Sequence, residues 1–191
     1  MFKSYVFFLL LLFAINGSAQ ERMVSEPDCF PAGSLSVRTN LPTWLLAVPS
    51  LGLSYKSADR LEFILDGAYS HWNFKRKGMD NYHHFWNISP QVRTYINPSH
   101  TAYLGLQYSM GEYNMSRQQG RYMGGGLAIG KQYFAGKNLL VDIGLTLGYL
   151  QLSKRESYRQ ENGDFYRTQT KENTNYWGPT SLSIRFSRKI N

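Results

Sequence analysis

The residues with catalytic potential are few and scattered. Ser70, His71 and Asp66 lie close together and supply a hydroxyl, a base and an acid, the three functions of a nucleophilic acyl transfer. In an extended strand, however, Ser70 and His71 point to opposite faces, which turns the base away from the nucleophile. His83 and His84 are adjacent and diverge in the same way as metal ligands, with no third ligand at a suitable spacing, and His100 stands alone. A structural or incidental role is the reading for each histidine. Glu62 and Asp66 share one strand face and could divide acid and base work, but salt bridging to Arg38, Arg93 or Arg185 suits them better. Gly124-Gly125-Gly126 lacks the Lys-Ser/Thr and the helix of a phosphate loop, so strand curvature or close packing accounts for it. Cys29 is the one thiol, which excludes an intramolecular disulfide. No catalytic set, metal site or cofactor site emerges, and the expectation is a protein that is not an enzyme.

The elements that carry these residues alternate apolar and polar side chains. Eight strand-like runs are legible: Ser34 to Asn40, Ser50 to Lys56, Leu61 to Phe74, Phe85 to Ile96, Thr101 to Tyr113, Tyr122 to Phe134, Leu139 to Leu152 and Tyr176 to Arg188. In the seventh, Leu139, Val141, Ile143, Leu145, Leu147 and Tyr149 share one face and Asp142, Gly144, Thr146 and Gly148 the other. The fifth and eighth repeat the division. A helical period is suggested only at Leu41 to Val48, an apolar connection that reads as a compact, partly lipid-embedded or barrel-capping turn.

The polar faces are mostly Gly, Ser and Ala, with sparse charges at Arg38, Glu62, Asp66, Arg93, Asp142 and Arg185. A solvated sheet face would carry many more Lys, Glu and Thr. Small residues with a few complementary charges fit the inside of a narrow barrel, where three arginines and three acids must pair because an unpaired buried charge is costly. The apolar faces would then point outward. Aromatic residues make up 15% of the chain, and thirteen of them near strand ends, Tyr69, Trp72, Phe74, Phe85, Trp86, Tyr95, Tyr113, Tyr122, Tyr133, Phe134, Tyr149, Tyr176 and Trp177, are placed as the girdles of a membrane barrel would be. A mean hydropathy of -0.40 does not exclude this, since barrel strands average apolar and polar residues.

Connections alternate as well. Ser57 to Arg60, Asn97 to His100 and Ala135 to Asn138 are tight and rich in turn formers, whereas Lys75 to His84, Asn114 to Arg121 and Ser153 to Asn175 are longer and polar, expected as loops. Tight turns on the periplasmic side and long loops on the extracellular side are the pattern of an outer-membrane barrel. Lys75, Arg76, Lys77, Arg117, Arg121, Lys154 and Arg155 fall in the longer set and could bind lipopolysaccharide phosphates through charge-assisted bonds, or keep the loops soluble. At the start of the chain, Lys3, the apolar Tyr5 to Ile15 and the small residues Gly17-Ser18-Ala19 read as a cleaved secretory signal over 1–19, ahead of a flexible arm at 20–33 and a barrel at 34–191. The full sequence carries a formal charge of +8, one less once Lys3 is cleaved off, and a basic exported chain favours anionic lipid or glycan over nucleic acid.

Several segments also resemble a known family. Arg38-Thr39-Asn40-Leu41 followed by Pro49-Ser50-Leu51-Gly52, Phe85-Trp86-Asn87-Ile88 leading to Val92-Arg93-Thr94-Tyr95, Tyr103 to Tyr108, Gly124-Gly125-Gly126, Asp142 to Tyr149 and Tyr176 to Thr180 are similar to an uncharacterised domain family of small Bacteroidetes-type outer-membrane β-barrel proteins. The resemblance spans Leu35 to Arg188. It implies an eight-stranded barrel, sometimes encoded near fimbrial components, with no established activity. Arg38 stands where the family has lysine and Ser50 where it has asparagine, and Lys189-Ile190-Asn191 ends the chain in place of an aromatic residue.

The expectation is therefore an all-β, eight-stranded antiparallel up-and-down transmembrane β-barrel. It is a monomeric outer-membrane protein of structural or surface-interaction role, in contact with outer-membrane lipid and lipopolysaccharide and with a surface-appendage protein as a candidate partner. A soluble periplasmic lipocalin-like lipid carrier, and a lipid A-modifying enzyme built on His71 with Ser70 or Asp66, are the alternatives.

Overall fold

A computed structural model describes residues 29–190 except 77, 78, 117, 137, 162 and 163, with backbone alone for 74–76, 79–81, 154–155, 157–161 and 164–172. The strands are β1 (Leu35–Asn40), β2 (Ser50–Ala58), β3 (Leu61–Arg76), β4 (Met79–Tyr95), β5 (Ala102–Met115), β6 (Gln118–Gly136), β7 (Leu139–Glu161) and β8 (Asp164–Lys189), with one helix, α1 (Leu41–Leu45), between β1 and β2. Each strand pairs antiparallel with the next, and β8 closes on β1, from Ser36 opposite Lys189 to Asn40 opposite Arg185. The fold is an all-β ring of eight up-and-down strands, as the alternation of the sequence predicts.

Tight turns join the strands at one end. Between β4 and β5 the side chain of Asn97 accepts the N–H groups of Thr101 and Ala102 at 2.8 and 2.7 Å, satisfying two donors in an Asx-type turn. Both described chain ends lie at this end, where Ile190 N–H donates to Leu35 O. The segment expected as a flexible arm is docked there in its described part: Phe30 is buried, and Gly33 N–H donates to Lys56 O at 2.7 Å.

At the opposite end the sequence reading needs correction. The segments expected as loops over Lys75 to His84, Asn114 to Arg121 and Ser153 to Asn175 are continuations of the strands, with β3 paired to β4 out to Arg76 opposite Met79 and β7 paired to β8 out to Glu161 opposite Asp164. These stretches are polar on both faces. They carry no apolar alternation, so a search for period two passes over them.

The wall is stepped because β1 and β2 are short, 6 and 9 residues against 16 for β3 and 26 for β8. Beyond Asn40 and Ser50, α1 and the turn after it take over. Pro42 opens the helix, where its missing N–H is harmless, and Ala47 closes it in a left-handed conformation with φ 58°. The compact turn expected at Leu41 to Val48 is this helix, and Val48 is buried beneath it.

Candidate functional site

The six charges singled out on the polar faces converge inside the barrel. Asp142 of β7 is fully buried. Its Oδ2 accepts a very short bond from Arg93 Nη1 and lies 3.6 Å from Arg38 Nη2, while Oδ1 accepts from the Tyr103 hydroxyl at 2.8 Å and lies 3.9 Å from Arg185 Nη1. Glu62 accepts from Arg93 Nε at 2.8 Å and, at shorter range, from the Tyr95 hydroxyl. Asp66 sits 3.3 Å from Arg38 Nε and 3.1 Å from Arg185 Nε. Three guanidinium groups and three carboxylates thus form one continuous network.

Strand register explains the convergence. Arg38, Gly52 and Asp66 occupy one row across β1, β2 and β3, so the arginine and the aspartate meet over a residue without a side chain. A Cβ on Gly52 would overlap Asp66 Oδ1 and lie 2.9 Å from Arg38 Cγ. Gly144 plays the same part opposite, where a Cβ would overlap the Tyr103 hydroxyl that reaches Asp142. Glu62 pairs in register with Arg93, and Asp142 with Arg185.

Several members of the network are not visible as such in the sequence. Tyr95 and Tyr103 support its arginine from both sides, with the Arg93 guanidinium 5.5 and 4.3 Å from their rings. Lys56 is a further buried charge; its Nζ sits 4.7 Å from the Tyr95 ring centroid and donates to Cys29 Sγ at 3.3 Å. Gln132 lies 3.0 Å from the Tyr95 hydroxyl, and Thr146 donates to Gln107 at 2.9 Å. The girdle assignment of Tyr95 and Tyr122 is accordingly corrected. Both belong to the inner face, Tyr95 at 1% exposure and Tyr122 accepting from Asn87 Nδ2 at 2.8 Å. Proximity to a strand end does not fix the face; the alternation does.

The outer wall is the reverse of the interior. Leu51, Leu53, Phe63, Leu65, Leu104, Leu106, Leu127, Ile129, Ile143 and Leu182 are all exposed. On β6 the outward row runs from Arg121 through Met123, Gly125, Leu127 and Ile129 to Lys131. Arg121 is paired with Glu112 at 3.2 Å on the outside of β5, and Lys131 lies 5.2 Å from the Tyr133 ring centroid. These two cations bound an apolar segment of about 33 Å at roughly 3.3 Å per residue. At a strand tilt of about 40° this is a belt roughly 25 Å tall.

The catalytic candidates do not assemble. His71 faces outward against His84, ring centroids 5.5 Å apart, while Asp66 is committed to Arg38 and Arg185 inside. Ser70 is buried and its hydroxyl meets His83 Nδ1 at 3.1 Å, a pair the sequence reading did not anticipate because it joins two strands diagonally. No group of three or more metal-ligating side chains occurs among the described residues. Of the basic candidates, Arg121 stands at the upper edge of the belt. Lys77 and Arg117 lie outside the described residues, as do the side chains of Lys75, Arg76, Lys154 and Arg155, and residues 1–19.

Residues 5–188 match the family described as Protein of unknown function (DUF3575). The chain belongs to that family. The match takes in every strand described above except the last residue of β8. No curated protein and no solved structure matches the chain.

Proposed function

We propose that this chain is a non-enzymatic outer-membrane β-barrel, exported by a cleaved signal at 1–19, with a structural or surface-interaction role in the cell envelope. The single observation that carries the reading is the inversion of the barrel: ionic and hydroxyl groups buried inside, large apolar side chains exposed outside. A belt of about 25 Å agrees with the apolar band of outer-membrane barrels. A water-soluble protein would leave that belt as an exposed apolar patch far larger than monomers tolerate.

The same inversion argues against a soluble lipid carrier, whose apolar faces would have to line a cavity. Inside this barrel they are replaced by a paired charge network, in an interior that with eight strands is just wide enough for side chains to fill. The network's carboxylates are each committed to arginine or tyrosine partners, which favours a structural over a catalytic role. The β7–β8 ribbon is the candidate contact for a surface-appendage partner, the accessory role near fimbriae that the family resemblance implies. Arg121 and the basic residues beyond it are the candidate contacts for lipopolysaccharide, and the protein acts as a monomer without cofactor.

Fractionation of the native protein tests the reading. It is expected in the membrane fraction, released by detergent alone, with a gel mobility that changes on heating as a folded barrel unravels. A protein that remains in solution without detergent would overturn the assignment.

A further inference from the structure

Along β3 the outward row runs Phe63, Leu65, Gly67 and Tyr69, and the β4 residues opposite it run Val92, Pro90, Ile88 and Trp86. The next outward pair is His71 with His84, directly opposite each other across the two strands. Apolar and aromatic side chains give way at that step to two imidazoles. Side chains opposed in this way have Cβ atoms about 4.5–5.5 Å apart, so the ladder itself brings the two rings together.

The ring centroids are 5.5 Å apart, with 67° between the ring planes. Two imidazoles that each place a nitrogen about 2.1 Å from one tetrahedral metal ion hold their centroids roughly 5 Å apart. The backbone thus already sets the separation that shared coordination needs, and rotation of the rings about χ2 supplies the rest.

The ring nitrogens are uncommitted. Neither His71 nor His84 makes a hydrogen bond or an ion pair among the described residues, whereas His83 on the inner face of β4 meets Ser70. Tyr69 packs edge-on against His84, centroids 5.9 Å apart, and buttresses it. On the other side of His84, Asn114 follows in register on β5. Its Oδ1 is shielded from solvent and has no hydrogen-bond partner among the described residues. A metal-bound histidine donates its second ring N–H to such an acceptor, which fixes the tautomer that coordinates.

We propose that His71 and His84 form a two-histidine site for a divalent transition-metal ion on the outer face of the wall, with water in the remaining coordination positions. Imidazole suits copper, nickel and zinc, and affinity in that series is highest for copper(II), whereas magnesium and calcium require oxygen ligands. The site goes beyond the function proposed above and does not depend on it. It follows from the register of β3 with β4, whatever surrounds the barrel, and the ion is a surface ligand, not a cofactor of the interior.

The test uses the full chain in detergent, purified without a histidine tag and with Cys29→Ser to remove a competing thiol. Copper(II) is titrated in and followed by electron paramagnetic resonance, whose nitrogen splitting counts the imidazoles bound. Saturation at one ion per barrel with two imidazoles is expected, and zinc(II) should bind at the same place more weakly. His71→Ala or His84→Ala should weaken binding about tenfold or more, at least the loss that follows removal of an outer-shell partner, and abolish the two-imidazole signal. Asn114→Ala should weaken binding with both imidazoles still in the spectrum, and His100→Ala should change nothing. Circular dichroism of each variant separates a lost ligand from a lost fold. Copper binding that survives unchanged in the His71→Ala, His84→Ala double variant, or the lack of any saturable two-imidazole signal in the starting protein, would overturn the site.

Discussion

Asp142 accepts bonds from Arg93 and Tyr103 and faces Arg38 and Arg185, so its removal leaves three buried guanidinium groups without their shared counter-charge. Breaking a buried ion pair from one side costs about 3–5 kcal/mol, because the stranded charge stays desolvated. Asp142→Ala is expected to lower barrel stability by that amount in urea titrations in detergent. Arg121→Ala, which removes an exposed pair at the belt edge, should change it by no more than about 1 kcal/mol. Equal small effects would show that the network does not hold the interior. Gly52→Val should behave like Asp142→Ala, since its side chain occupies the space in which Arg38 and Asp66 meet. The six charges were legible in the sequence because each is the odd charged residue on a face of Gly, Ser and Ala. Tyr95, Tyr103 and Lys56 were not, because an aromatic or a lysine near a strand end has two readings until closure of the ring fixes which face is inside. The Ser70–His83 pair depends on the diagonal offset of two strands and leaves no trace in linear spacing.

At the scale of the element, β6 offers a comparison within one outward row. Leu127 lies near the middle of the belt and Met123 one step from its Arg121 edge. In a lipid-facing wall, Leu127→Arg costs about 2–4 kcal/mol and Met123→Arg only about 0–1 kcal/mol, because the penalty falls toward the interface. On a water-facing wall both exposed positions would tolerate arginine within about 0.5 kcal/mol. Refolding of the two variants into lipid vesicles, followed by urea titration, reads the difference. Strand existence was legible wherever one face is apolar, and strand extent was not. The stretches beyond the belt, such as Ser153 to Glu161 of β7, stay paired in the ladder although their residues are polar throughout, so their sequence is that of a loop and their structure that of a ribbon. The short β1 and β2 follow from Pro42 and Pro49, which end the ladder on either side of α1. On the free edge of β8, Pro179 and the bulge beside it interrupt the row of unpaired groups, a device that blunts pairing with other chains.

For the whole molecule, the order of tight and extended connections sets a direction. Turns at Asp59-Arg60 and Asn97 to Thr101 lie at the end with both described chain ends, and the β7–β8 ribbon projects from the other. Up-and-down topology was legible from that alternation alone. The His71–His84 pair was not, because it forms only through the register of β3 with β4. The proposed orientation places the ribbon outside the cell. Proteinase K added to intact cells measures this directly, through the fragments it produces. Cleavage between Ser153 and Asn175 with the rest of the barrel protected is the predicted result. Cleavage there only after the outer membrane is broken would contradict the orientation, and digestion throughout the chain would contradict a barrel embedded in the membrane.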